Sequence, residues 1–194
     1  MMLKYWPIAL AVFAALAATK AGLQTSSDPT DAWQMASRFT AQVGFPFLII
    51  AYSASSLVKL RPSEFTRDLL KRRKYWGLSF AATHSVHLIA LLNFLNSLPE
   101  WPPILGLLPG FSVYVVIYAM ALTSNQWGYR TLGKNWNRLH SFGIHLLWLI
   151  FVATYVSKIT EPEHIPIAGI YAFVAILALL LRIAAWRKSS KPKK

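Results

Sequence analysis

The sequence predicts an all-α fold, a bundle of six transmembrane helices with both chain ends in the cytoplasm. Three observations predict it. Of the 194 residues, 55% are hydrophobic and only 14% are charged, whereas a soluble domain keeps roughly a quarter of its residues charged. Six apolar runs of near membrane-crossing length follow one another along the chain. Lys and Arg are distributed between alternate runs, 17 to one side and 3 to the other. The positive-inside rule makes the richer side cytoplasmic and sets an N-in, C-in topology.

The first run, 5–21, follows Lys4 and ends in small residues near Ala18. That pattern also fits a signal peptide, but an even number of spans agrees with an uncleaved helix. The second, 33–60, exceeds the necessary length and carries Gly44 and Pro46. The third is 75–98 and the fourth 104–123, separated by Pro99, Pro102 and Pro103, where a helix should stop. The fifth is 139–156 and the sixth 165–186, with Glu161, Pro162 and Pro166 marking the turn between them. Asp28, Asp31, Glu100, Glu161 and Glu163 are placed outside by the same alternation. Residues 1–186 therefore form one membrane domain, and 187–194 form a basic cytoplasmic tail. The basic loop 59–74 is suited to contact anionic lipid on the inner leaflet.

Several function classes fall away. With no cysteine, there are no disulfides, iron–sulfur clusters, thiolate ligands or Cys nucleophiles. A net charge of +13 points to nucleic acid only when it lies on a folded soluble face. Here the charges lie between membrane runs, so no nucleic-acid partner is expected. No glycine-rich dinucleotide motif appears. Any flavin or NAD(P)H used in electron transfer must therefore sit on another chain.

Four of the five histidines lie in membrane segments, His84 and His87 in the third and His140 and His145 in the fifth. Ionisable groups are expensive there and face the bundle interior. Neutral imidazole ligates haem iron, and two helices can hold a haem between them. At 1.5 Å per residue, His84 and His145 both stand about 13 Å in from the cytoplasmic side, His87 about 18 Å and His140 about 6 Å. Depth alone pairs His84 with His145. His140 and His145 differ by roughly 140° around a helix, so they should have different neighbours. The plainer reading makes these histidines interhelical hydrogen-bonding groups. His164, in an outer loop, has no assigned role.

At these residues the sequence resembles the ferric reductase-like transmembrane domain family, which includes ferric reductases, NADPH oxidases and bacterial haem-binding membrane subunits. The matching stretches are Arg72-Arg73-Lys74-Tyr75-Trp76-Gly77-Leu78 leading to Val86-His87-Leu88, and Thr123-Ser124-Asn125 leading to Leu132-Gly133-Lys134-Asn135-Trp136-Asn137-Arg138-Leu139-His140. The resemblance implies that His87 and His140 ligate the iron of a b-type haem. The family's second fifth-helix His falls on Ala153, and Asn93, Asn96 and Ser97 end the third span without another ligand. One haem is expected, held by His84 or His87 with His140 or His145. Arg72, Arg73, Arg130, Lys134 and Arg138 suit its propionates. Tyr52, Tyr114, Trp148 and Tyr155 are candidate pocket aromatics.

The leading expectation is a b-type haem protein of the bacterial inner membrane. It passes electrons from a flavoprotein or quinone donor to an acceptor near the outer face, acting as an oxidoreductase subunit with a redox partner protein. The alternatives are a haem-free subunit or scaffold of the same fold, motivated by Ala153, and a His-based proton-coupled transporter.

Overall fold

In the computed structural model, residues 5–160 and 165–190 are described. Lys4, Glu161, Pro162, Glu163, His164 and the end of the tail, 191–194, lie outside the described residues. The elements are α1 (Trp6–Leu23), α2 (Pro29–Leu60), α3 (Glu64–Lys71), α4 (Arg73–Ser97), α5 (Ile104–Leu122), α6 (Gln126–Leu132), α7 (Lys134–Ser157) and α8 (Ile165–Ser189). A short 3-10 turn, Lys158–Thr160, follows α7. There is no strand among the described residues. Six of the helices (α1, α2, α4, α5, α7 and α8) are long and apolar enough to cross a membrane, as the hydropathy pattern predicts.

The helix ends follow local chemistry. Asp28 caps α2 by accepting from the backbone N–H of Thr30 and Asp31 at 2.9 and 3.0 Å. α4 ends at Ser97 and Pro103 caps α5, so the proline cluster stops and restarts the chain where expected. The two short helices α3 and α6 lie in the basic loops, where the hydropathy pattern predicts none. Each is announced by a cap: Ser63 and Thr66 form a capping box, and the Asn125 side chain accepts from the Gly128 N–H at 2.8 Å. The exposed Phe65 and Trp127 project from them, as amphipathic elements at a membrane surface do. α7 starts five residues before the expected boundary, because its polar first turns are helical too.

α2 is the central helix, packing against α1, α4, α7 and α8. Its 32 residues span about 48 Å, well beyond the roughly 30 Å hydrocarbon core. The α1–α2 crossing is close at Gly22, where a Cβ would run into the backbone of Ala36. Pro46 has no N–H to give, so the carbonyl of Gln42 one turn earlier loses its helical donor. The Tyr171 hydroxyl of α8 donates to that carbonyl at 3.4 Å, which a membrane interior requires. α5 packs against α4 and α7 and is the least buried of the six spans. A wide space is thereby left between α4, α5 and α7 at the basic end of the bundle.

Candidate functional site

That space is a cavity of about 570 Å³, within the ordinary range for small-molecule sites. Its apolar wall is built by Leu48 of α2, Phe80 and Ala81 of α4, Ile117 and Met120 of α5, and Ile144 and Leu147 of α7. Arg73, Lys74 and Arg182 also line it, with no carboxylate among the lining residues. Arg73 Nε donates to the carbonyl of Ala51 at 2.9 Å and Arg182 Nη1 to that of Tyr52 at 3.2 Å. Two guanidinium groups, from α4 and α8, thus converge on one turn of α2 beside an apolar space.

His140 is the one described histidine in the lining. Its ring stacks on Trp136 with centroids 4.1 Å apart, and its Nε2 lies 3.1 Å from Thr123 Oγ1. Trp136 Nε1 donates to the Thr123 carbonyl at 2.8 Å. The start of α7 is in this way fastened to the end of α5. Thr123 has one hydroxyl proton, and the Ala119 carbonyl at 2.6 Å takes it. His140 must then donate from Nε2, which leaves its lone pair on Nδ1.

The other three described histidines carry the opposite tautomer. His84 Nδ1 faces the Phe80 carbonyl at 3.2 Å and His145 Nδ1 the Ser141 carbonyl at 2.6 Å, and a carbonyl can only accept. His87 Nδ1 lies 3.2 Å from Thr40 Oγ1, whose proton goes to the Ala36 carbonyl at 2.8 Å. Each of these rings keeps its lone pair on Nε2, the arrangement second-shell partners usually impose on metal-ligating histidine.

His84 and His87 touch each other on α4, with ring centroids 5.5 Å apart. No α4 histidine meets an α7 histidine among the described ring contacts. His84 is buried against α2 at Gly44, where a Cβ would lie 2.7 Å from its Nδ1. His145 meets α2 at Tyr52, at 5.6 Å between centroids. Gly44 and Tyr52 are eight residues apart, about 12 Å along the helix. Equal depth therefore does not bring His84 and His145 together, because the two rings turn to different heights of α2. His87 stands about 12 Å deeper than His140 by helical rise, with Tyr114 beside it at 6.4 Å. His140 and His145 do have different neighbours, as their angular separation predicts.

The aromatic and basic surroundings differ from the expected ones. Tyr52, Tyr114, Trp148 and Tyr155 do not line the cavity; Phe80, Tyr129 and Trp136 do. Of the five expected basic residues only Arg73 lines it. Arg72 is instead paired with Asp68 at 2.9 Å. Lys74 escapes sequence reasoning because it lies in a run that topology alone explains, and Arg182 because tertiary packing alone brings α8 to this end. Farther along α7, Ala153 is exposed, while its buried neighbours Phe151 and Tyr155 pack with Phe45 and Tyr171. The Tyr155 and Tyr171 rings are 4.7 Å apart. That end of the bundle is filled by rings.

The donor set fits an amphipathic iron porphyrin: one imidazole, an apolar wall, and cations without acidic competitors. No family model matches the chain, and no solved structure matches it. Across 179 aligned residues it is 30% identical to the protein-methionine-sulfoxide reductase haem-binding subunit MsrQ of Enterobacter sp. (strain 638). The match takes in 84% of this chain and 78% of that protein.

Proposed function

The chain belongs to the family of the protein-methionine-sulfoxide reductase haem-binding subunit, and from that premise we propose that it is a haem-binding electron-transfer subunit of a bacterial inner-membrane oxidoreductase. The observation that carries this reading is the cavity itself, where His140, Arg73, Lys74 and Arg182 meet an apolar wall. His140 would give an axial nitrogen, and Arg73, Lys74 and Arg182 would pair with propionates. The haem would supply a one-electron couple, whose potential the ligand, the local charge and the low dielectric adjust.

The b type and a count of one follow from the same reasoning. No cysteine exists for covalent attachment, and the rings packed near Ala153 favour a single macrocycle, in the cavity that His140 lines. His87, the family-matched residue of α4, is prepared as an Nε2 donor but stands too deep to share an iron with His140. His84 and His145 are prepared in the same way, away from the cavity. The electron donor is a quinone or a flavoprotein, because the chain carries no nucleotide-binding motif. The acceptor is a partner protein beyond the opposite face.

The test is haem content in detergent, counted by pyridine haemochrome, for the wild type, His140→Ala and His87→Ala. Loss of haem in His140→Ala with retention in His87→Ala is the expected result. A wild type that stays colourless when expressed with ample haem would overturn the reading in favour of a haem-free subunit.

A further inference from the structure

We infer that the basic rim formed by the end of α2, the start of α3 and the end of α8 is a binding site for an anionic phospholipid. The rim lies outside the cavity, and its chemistry is the same whether or not haem is bound.

Two ties bring the rim together. Lys188 Nζ of α8 donates to the carbonyls of Lys59 and Leu60 at 2.9 and 3.2 Å, where α2 has run out of helical donors. Farther up α8, Arg182 Nη1 donates to the Tyr52 carbonyl at 3.2 Å. The last turn of α8 is in this way fixed at the terminus of α2. Arg187 and Lys188 are thereby set beside Lys59 and Arg61, and all four are exposed. Against these cations stand only Glu64 and Asp68 of α3, and Arg72 already holds Asp68 at 2.9 Å.

Like charge gathered at this density draws in anions, and the surroundings decide which. Phe65 is 70% exposed and Trp186 67% exposed, on the two elements that flank the end of α2. On an ideal helix Phe65, Thr66, Leu69 and Leu70 fall on one side of α3, and Glu64, Arg67, Asp68 and Lys71 on the other. Thr66 is buried and Leu69 packs against the core. A short amphipathic helix of this kind, attached to membrane spans, lies along the interface. Exposed aromatic rings beside cations mark the headgroup level. A phospholipid answers both features: its phosphate pairs with Arg61 and Arg187, and its glycerol and acyl region covers Phe65 and Trp186. A soluble anion would satisfy the charges and leave the two rings bare. The bound lipid joins the end of α2 to the end of α8 and reinforces the Lys188 tie.

The experiment uses the full chain, delipidated in neutral detergent and mixed with phosphatidylglycerol, phosphatidylcholine or inorganic phosphate. Native mass spectrometry counts retained lipid, and thermal unfolding reports stabilisation. Phosphatidylglycerol is expected to be retained and to raise the unfolding temperature, while phosphatidylcholine and inorganic phosphate do neither. Arg61→Gln combined with Arg187→Gln should weaken retention by about tenfold or more. Arg130→Gln combined with Lys134→Gln removes the same charge from exposed positions around α6 and should leave retention unchanged. Equal loss in the two pairs overturns the inference and reduces the rim to overall charge. Equal stabilisation by inorganic phosphate also overturns it, since the acyl region is then not read. A wild type with no preference between the two lipids overturns it without any variant, and leaves the rim to a soluble partner with an acidic surface.

Discussion

Thr123 at the end of α5 accepts the Nε2 proton of His140 across 3.1 Å, while its own proton goes to the Ala119 carbonyl. The one histidine of the cavity is therefore held by the nitrogen that most often binds iron. Nε2 ligation has to give up this bond, at a cost of about 1 kcal/mol. Thr123→Val removes the competition and should tighten haem binding about fivefold, whereas Thr123→Ser should match the wild type. Haem transfer to a competing apoprotein measures the ratio. Weaker binding in Thr123→Val would show that the hydroxyl orients the ring for ligation instead of opposing it.

Arg73 and Arg182 reach the same turn of α2 from two different helices, and no carboxylate among the cavity residues competes for them. Charge-assisted bonds to propionates contribute about 1.5–3 kcal/mol each. Arg73→Leu and Arg182→Leu should each weaken haem retention by about tenfold or more. Arg138→Leu, outside the cavity, should leave it unchanged. Haem remaining after size-exclusion in detergent is the readout. Equal loss in all three would mean that the basic residues act only through overall charge.

The spans are legible in the sequence because about twenty consecutive apolar residues leave little alternative to a membrane helix, and the proline cluster at 99–103 marks a boundary physically. α3 and α6 escape because hydropathy does not register polar surface helices, although Ser63, Thr66 and Asn125 carry the capping signal. The histidines are visible as candidates, but their partners are not. Depth along a helix can be counted from sequence, whereas the direction in which a ring turns depends on its neighbours. His84 turns to Gly44 because only glycine leaves space for it there, and His145 turns to Tyr52. Arg182 lies beyond the reach of sequence reasoning, since the packing of α8 on α2 and α7 is what brings it to the cavity.

Tyr171 and Pro46 make a coupled pair that stability measurements can isolate. The Tyr171 hydroxyl serves the Gln42 carbonyl that Pro46 leaves without a helical donor. Tyr171→Phe should destabilise the bundle by about 1 kcal/mol, the value of one such bond. In a Pro46→Ala background, the backbone N–H restored at that position should satisfy Gln42, and the same change should cost much less. A double-mutant cycle on thermal unfolding in detergent gives the coupling energy. Equal losses in both backgrounds would show that Tyr171 acts through its ring packing on Phe45 and Tyr155 alone.

The orientation of the bundle decides which compartment supplies the electron donor. The cavity lies at the end that carries the loops 59–74 and 123–138, and the positive-inside rule predicts that this end is cytoplasmic. Because the chain has no cysteine, single-cysteine variants report topology without background. Glu64→Cys and Lys134→Cys flank the cavity end on exposed positions, and Ser27→Cys and Glu100→Cys are exposed at the other end. A membrane-impermeant maleimide should label the latter two in spheroplasts and reach the former two only after permeabilisation. That result would let a cytoplasmic flavoprotein or an inner-leaflet quinone approach the Arg73–His140 cavity directly. The reverse pattern would place the cavity on the outer side. A reduced cytoplasmic donor could then deliver electrons only across the ring-filled end around Phe151 and Tyr155, and the proposed direction of flow would have to be abandoned.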